Sequence, residues 1–89
     1  MRYDDARMEV LGFDGSRDSY DCVVVKVKGK ITIDFDSDQI FKGVSIDGTH
    51  YRCTDASGNK LELHRFHRDH VYVGVLREDG YEYLVRLTV

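Results

Sequence analysis

Apolar and polar residues alternate along most of the chain, in short runs that are separated by polar segments containing glycine. Alternation with a period of two predicts β-strands with one buried face, and no segment shows the sustained 3.6-residue period of a helix. Valine, isoleucine and tyrosine, which favour strands, dominate these runs. About seven short strands separated by turn signals are typical of a β-barrel or a β-sandwich.

The Asp-Gly pair at 47–48 predicts a two-residue turn, because a type I′ turn requires positive φ at both central positions. Such a turn places Val44 opposite Tyr51. Ile46 and Cys53 then fall on the same side of the hairpin as this pair. We therefore expect these four side chains to share one buried face.

A second hairpin is predicted where the glycine of a Lys-Gly-Lys sequence interrupts a long alternation of apolar and polar residues. A three-residue loop at 28–30 sets three apolar pairs opposite each other: Val27 and Ile31, Val25 and Ile33, and Val23 and Phe35. Every inward pair is then apolar, whereas the outward positions include lysine, threonine and aspartate. We expect this register, because a shift by one residue would set apolar side chains against polar ones.

The last segment of the chain predicts a third hairpin, for which two turns are possible. A three-residue loop at 78–80 faces the three valines of the first strand inward, and we prefer this arrangement. A two-residue turn at 79–80 instead faces Tyr72 inward and pairs Arg77 with Glu82. Both faces of the strand are fairly apolar, which is expected of a strand with neighbours on both sides.

The size and composition of the chain are those of one globular domain, with 89 residues, of which 42% are hydrophobic and 33% charged. We therefore predict a single all-β domain over residues 1–89. We expect a small antiparallel barrel or roll of about seven strands built from consecutive hairpins. A two-layer β-sandwich is the second choice.

The net charge of −3 and the pI near 5.7 argue against a general nucleic-acid-binding protein, which usually carries a basic surplus. The first residues lack the pattern of a secretion signal, and no apolar run approaches the length of a membrane span. We therefore expect a cytoplasmic protein in which Cys22 and Cys53 are reduced. It would act without a membrane and without direct nucleic-acid contact, as a monomer or a homodimer.

Three histidines and two arginines crowd the stretch 63–70, which we expect to form the tip of a hairpin. Along a strand, His64 and His70 would lie roughly 20 Å apart, and His67 would point to the opposite side. Zinc requires at least three protein ligands. We therefore expect no metal and no other cofactor, and we keep a metal-binding β-domain that uses these histidines as an alternative.

A ribonuclease-like enzyme is a second alternative, because the required residue types are present in this part of the chain. Such a site needs a histidine and a carboxylate as acid and base, and arginine to stabilise charge on the phosphoryl group. The candidate residues are His64, His67, Arg65, Arg68 and Glu62. Their convergence does not follow from the sequence, and we expect a protein without catalytic activity.

Acidic residues occupy alternate positions at Asp34, Asp36 and Asp38. The pattern is not a calcium loop, because Gln39 and Ser45 stand where such a loop needs glycine and glutamate. An acidic strand face of this kind fits a basic partner.

The predicted function is a non-catalytic protein-binding module. One form of it is a small inhibitor of the kind that phages and other mobile elements encode, whose aspartates occupy the nucleic-acid groove of a partner protein. The partner's identity does not follow from the sequence. The residues expected to bind it are Asp34, Asp36, Asp38, Arg68, His67 and His70.

Overall fold

A computed structural model describes residues 1–36, 39–45, 47–68 and 70–89. These residues form eight antiparallel strands, each paired with the next one along the chain, and the last strand closes on the first to complete a barrel. The strands are β1 (Arg2–Leu11), β2 (Arg17–Val27), β3 (Lys30–Phe35), β4 (Gln39–Ser45), β5 (His50–Thr54), β6 (Lys60–His67), β7 (Val71–Glu78) and β8 (Tyr81–Thr88).

The prediction of an all-β barrel built from consecutive hairpins is confirmed, and the alternative of a two-layer sandwich is not adopted. The barrel has eight strands where about seven were expected, and its two longest, β1 and β2, begin at Arg2 and Arg17. The early part of β1 contains a β-bulge between Tyr3 and Ala6, where an irregular register interrupts its pairing with β2. None of the described segments is helical, so these residues include no helix with the length and apolar character needed to cross a membrane.

The core lies inside the barrel and consists of alternate residues from all eight strands. Its largest fully buried side chains are Tyr72, Phe41, Met8, Ile31, Ile33, Leu61, Leu63, Leu87 and Val24. Cys22 and Cys53 are also buried, and both are free thiols, as predicted. Burial raises the pKa of Cys22 to about 11 and that of Cys53 to about 12, so both thiols stay protonated near neutral pH.

The turn between β2 and β3 has two residues, and the predicted three-residue loop is wrong. Lys28 and Gly29 both have positive φ, 45° and 78°, which is the requirement of a type I′ turn. The register therefore moves by one residue, and Val24 pairs with Ile33 inside the barrel. Val27, which we expected to face inward, is 54% exposed. The twist of a type I′ turn matches that of the strands, and this preference outweighs the apolar pattern of β2.

The turn between β7 and β8 also has two residues, at 79–80, where Asp79 and Gly80 have φ of 53° and 82°. The preferred three-residue loop is therefore wrong, and the two-residue alternative is confirmed. Arg77 pairs with Glu82, and their side chains form an ion pair of 3.0 Å. Tyr72 points inward and is fully buried.

The connection between β4 and β5 is longer than the predicted two-residue turn, because the last pair of the ladder is Ser45 with Tyr51. The Asp47 carboxylate accepts hydrogen bonds from the backbone N–H groups of Thr49 and His50, at 2.9 and 3.0 Å. These bonds satisfy backbone donors that a tight hairpin would pair across the strands.

The longer connection changes which residues face the core. Tyr51 and Cys53 are buried as predicted, but Val44 is 56% exposed, which contradicts the predicted pairing. Ile46, the fourth member of the predicted face, lies outside the described residues.

Two glycines allow neighbouring strands to approach closely. A Cβ atom at Gly74 in β7 would fall on the backbone carbonyl of Glu62 in β6, and one at Gly43 would collide with the backbone carbonyl of Arg52. The absence of side chains at these positions therefore permits the sharp curvature that closes a small barrel. At Gly74 this close approach also holds the backbone of Glu62 in place.

Candidate functional site

Carboxylates gather at one end of the barrel. In a barrel of consecutive hairpins, every second connection lies at the same end, so the connections β1–β2, β3–β4, β5–β6 and β7–β8 share one end. We call it the acidic end. The described carboxylates in these connections and the strand residues beside them are Asp14, Asp18, Asp34, Asp36, Asp55, Glu78, Asp79 and Glu82, against the basic residues Arg17, Lys60 and Arg77.

The opposite end, which we call the basic end, carries the connections β2–β3, β4–β5 and β6–β7. Its described basic side chains in and beside these connections are Lys26, Lys28, Lys30 and Arg68. The described carboxylate among them is Asp47, and the β6–β7 connection also contains Asp69, which lies outside the described residues. The strand β1 also begins at this end, where Arg2, Asp4 and Asp5 lie, so the basic surplus here is smaller than the surplus of carboxylates at the acidic end.

A pocket of about 260 Å³ opens at the acidic end, in the mouth of the barrel. Barrel mouths are common places for binding pockets. The aromatic side chains that line it are Tyr20, Phe35, Phe41 and Tyr83, and the polar residues among its lining are Asp18, Gln39 and Glu78. The rings of Phe35 and Phe41 meet edge to face, with their centroids 6.2 Å apart. The pocket thus combines aromatic walls with two carboxylates.

Gln39 joins two carboxylates at the mouth, one from the β5–β6 connection and one from β7. Its Nε2 donates hydrogen bonds to Asp55 Oδ2 at 3.0 Å and to Glu78 Oε1 at 3.2 Å. Partial desolvation raises the pKa of Asp55, but hydrogen bonds from Gln39, Asn59 and Ser57 outweigh it and lower the pKa. These bonds hold the Asp55 carboxylate in place and ionised.

Side chains inside the barrel close the basic end. Lys26 points into the barrel, and its Nζ donates a hydrogen bond of 2.6 Å to the hydroxyl of Tyr72. The same ammonium group lies 5.7 Å from the ring centroid of Tyr3 and 5.1 Å from that of Tyr72. Cation–π contacts of this kind tie the charge to the aromatic rings beneath it.

The aspartates predicted to bind a partner lie at or near the acidic end. Asp36 follows β3 at that end, and Asp34 lies on the outer wall of β3, between Val23 of β2 and Ile40 of β4. Both carboxylates are exposed. Asp38, the third predicted residue, lies outside the described residues.

The remaining residues of that predicted set, His67, Arg68 and His70, lie at the basic end. His67 pairs with Val71, and the N–H of His70 donates to the carbonyl of His67 at 3.1 Å, so the hairpin tip predicted over 63–70 is confirmed at its outer end, while residues 63–66 lie within β6. All three side chains are exposed. The structure thus divides the predicted partner-binding residues between the two ends.

His64 lies apart from this tip and contacts His50, a residue that the sequence analysis missed. The two histidines are directly opposite each other on β5 and β6, and their rings stack with centroids 4.1 Å apart. Glu62 lies on the same outer face, with Oε2 3.2 Å from Nε2 of His50 and Oε1 3.9 Å from Nε2 of His64. This contact follows from the register of β5 with β6, which the sequence pattern does not specify.

Of the five residues proposed for a ribonuclease-like site, the structure brings together Glu62 and His64. The Nε atom of Arg52, which was not in that set, lies 3.5 Å from the Glu62 carboxylate. The backbone N–H of Arg65 donates to the carbonyl of Thr49 at 2.7 Å, within the sheet. His67 and Arg68 lie farther along the chain, where β6 ends.

Comparison of this chain with models of protein families, with curated proteins and with solved structures found no match. Two groups of side chains are therefore the candidates that its own geometry supplies. One is the acidic end with its aromatic mouth, and the other is the pair of histidines with Glu62 on the outer wall.

Proposed function

We propose that this protein is a non-catalytic protein-binding module whose acidic end docks onto a basic surface of a partner protein. The observation that carries this proposal is the gathering of carboxylates at one end of the barrel, around an aromatic mouth. The proposed activity is binding alone, without turnover of a substrate.

The field of the acidic end extends into solvent, because several of its carboxylates are not neutralised within the molecule. Asp18, Asp36 and Asp79 form no ion pair with any residue that the structure describes. Like charges that surround one concave surface add their potentials, which speeds the approach of an oppositely charged partner and orients it.

The mouth pocket supplies a place for one basic side chain of the partner. A guanidinium group is flat, always charged and able to stack on aromatic rings, while its N–H groups bond to carboxylates. The walls of Tyr20 and Tyr83, with Asp18 and Glu78 among the lining, match these properties. Arginine is also among the residues that most often dominate binding energy at interfaces.

A partner surface that normally binds nucleic acid would present the basic residues that this end requires. We therefore propose that the module acts as an inhibitor that covers such a surface in the cytoplasm. Within the described residues the closed barrel has no free strand edge, so docking would use side chains on a rigid scaffold and would lose little conformational entropy.

Affinity capture with matched charge variants tests the proposal. Tag-free protein immobilised on resin would be exposed to nuclease-treated lysate of its source organism, and captured proteins identified by mass spectrometry. The acidic-end variant is Asp18→Lys/Asp36→Lys/Asp79→Lys, and its control at the basic end is Lys28→Glu/Lys30→Glu/Arg68→Glu.

We expect a basic protein that is captured by the wild type and by the control variant, is lost with the acidic-end variant, and elutes at raised salt. Capture that survives the acidic-end substitutions would contradict the proposal. So would turnover of RNA by the purified protein that is lost on His64→Ala.

A further inference from the structure

We propose that His50, Glu62 and His64 form a binding site for a divalent transition-metal ion, and that Zn²⁺ is the ion their donor set fits best. One possible ligand atom from each of the three residues lies within 4.8 Å of the others. The site is on the outer wall of β5 and β6, separate from the acidic end, and does not depend on the function proposed above.

The convergence follows from the register of two strands. Thr49 and Arg65 form a hydrogen-bonded pair through the backbone, so the next pair, His50 with His64, is of the non-hydrogen-bonded kind, in which side chains approach most closely. Glu62 is two residues before His64 and therefore lies on the same face. Gly74 keeps β7 close behind the backbone of Glu62.

The chemistry of the donors selects the metal. Two imidazoles and one carboxylate suit zinc, which in catalytic and exchangeable sites takes three protein ligands and a water molecule. Calcium and magnesium prefer six or more oxygen ligands, which this wall does not supply. A tetrahedral zinc ion needs ligand atoms about 3.3 Å apart, so the group must contract slightly. The side chain of His64 is 54% exposed and can rotate to do so.

The Nε2 atom of His50 gives a second indication. It is buried and has no hydrogen-bond partner among the described residues. Glu62 Oε2 is 3.2 Å away, at the distance of an ion pair, but the contact does not have the geometry of a hydrogen bond. A buried polar atom without a partner is destabilising, and a metal ion between imidazole and carboxylate would satisfy it. His50 Nε2 and Glu62 Oε2 are close enough to bind the same metal ion.

Arg52 competes with the metal ion for the Glu62 carboxylate. Its Nε lies 3.5 Å from Glu62 Oε2, and its side chain is 69% exposed. An ion that binds Glu62 must displace this guanidinium group or bear its repulsion. Removing the charge of Arg52 should therefore strengthen metal binding, a result that a purely structural role for these residues would not produce.

The test is calorimetric titration of Zn²⁺ into tag-free protein that has been treated with a chelator. The wild type should bind one ion, and His64→Ala should weaken binding at least about tenfold, since one ligand of three is lost. His67→Ala is the matched control, because His67 is equally exposed but lies outside the group, and it should leave the affinity unchanged. Arg52→Gln should raise the affinity several-fold.

Thermal melting gives a second readout that does not depend on the calorimeter. Zinc at a hundred times the wild-type Kd should raise the Tm of the wild type by about 10 °C or more, reversibly with chelator, and that of His64→Ala by about half as much or less. Circular dichroism of the metal-free variants checks that they fold. Absence of a 1:1 zinc complex in the wild type, equal losses in His64→Ala and His67→Ala, or weaker binding by Arg52→Gln would each overturn the proposal.

Discussion

At the acidic end of the barrel the core opens into a pocket, whereas at the basic end Lys26 and Tyr72 close it. The aromatic side chains differ accordingly. Tyr72 is fully buried and its hydroxyl is hydrogen-bonded, while Tyr83 lines the mouth and is partly exposed. The same residue type therefore stabilises the fold at one end and remains accessible for binding at the other.

The charges of the two ends differ for a topological reason. Each end collects alternate connections, so acidic residues that are far apart in the sequence, such as Asp18 and Asp79, come to one rim. A net charge of −3 conceals this arrangement. The distribution of charge over a fold, more than its sum, indicates the kind of partner that it can meet.

Replacement of the two tyrosines should show the largest difference between the ends. Tyr72→Ala removes a fully buried ring and should lower the free energy of unfolding by about 3–5 kcal/mol. Tyr83→Ala removes a partly exposed ring and should cost about 1 kcal/mol. Urea unfolding followed by circular dichroism measures both. Equal losses of unfolding free energy would mean that Tyr83 at the mouth contributes as much to the core as Tyr72 at the closed end.

A smaller effect is expected at the acidic end, where carboxylates that line the pocket are compared with a carboxylate outside it. Asp18→Asn/Glu78→Gln should weaken binding of a fluorescent nona-arginine peptide about tenfold, or about 1.4 kcal/mol, in low salt. Asp14→Asn also removes a carboxylate, but one outside the pocket, and should change the affinity less than about twofold. Fluorescence anisotropy provides the comparison. Similar losses in both variants would leave the pocket without a special role.

The smallest effect concerns acid stability at the basic end. Hydrogen bonds from the backbone and side chain of Thr49 and from the backbone of His50 lower the pKa of Asp47 to about 2, from an ordinary value of 3.8. Because the folded-state pKa is depressed, the stabilisation is present above about pH 4 and is lost as the pH falls towards 2. Asp47→Ala should therefore melt at a lower temperature at pH 6 and lose less further stability on acidification.

Matched melting curves of the wild type and Asp47→Ala at pH 6, 4 and 2 would check this expectation. If the difference in Tm between them stayed constant from pH 6 to pH 2, the carboxylate of Asp47 would not be the group responsible.

The class of fold could be predicted from alternation and glycine-marked turns, but the registers could not. Lys28-Gly29 and Asp79-Gly80 both form two-residue type I′ turns, whereas the Asp-Gly pair at 47–48 lies in a longer connection. An Asp-Gly sequence permits both outcomes, and the choice depends on where the side chain of Asp47 finds its hydrogen bonds. A one-residue error then exchanges the two faces of a strand.

The same limitation explains which site residues were found. Asp34 and Asp36 were identified because they are close in sequence, and His64 and Glu62 for the same reason. His50 was missed, because its relation to His64 exists only through the β5–β6 register. The charge of the acidic end could have been foreseen, because pooling alternate connections of a hairpin barrel needs only the order of the strands.

Nuclear magnetic resonance titration of ¹⁵N-labelled protein with the nona-arginine peptide tests the central claim most directly. We expect the largest amide shifts around the mouth, at Tyr20, Gln39, Glu78 and Tyr83, and little change at 65–68 on the basic end. The shifts should diminish as salt is raised. Shifts centred on the basic end or on the His50–His64 wall, or no shifts at low salt, would contradict the account.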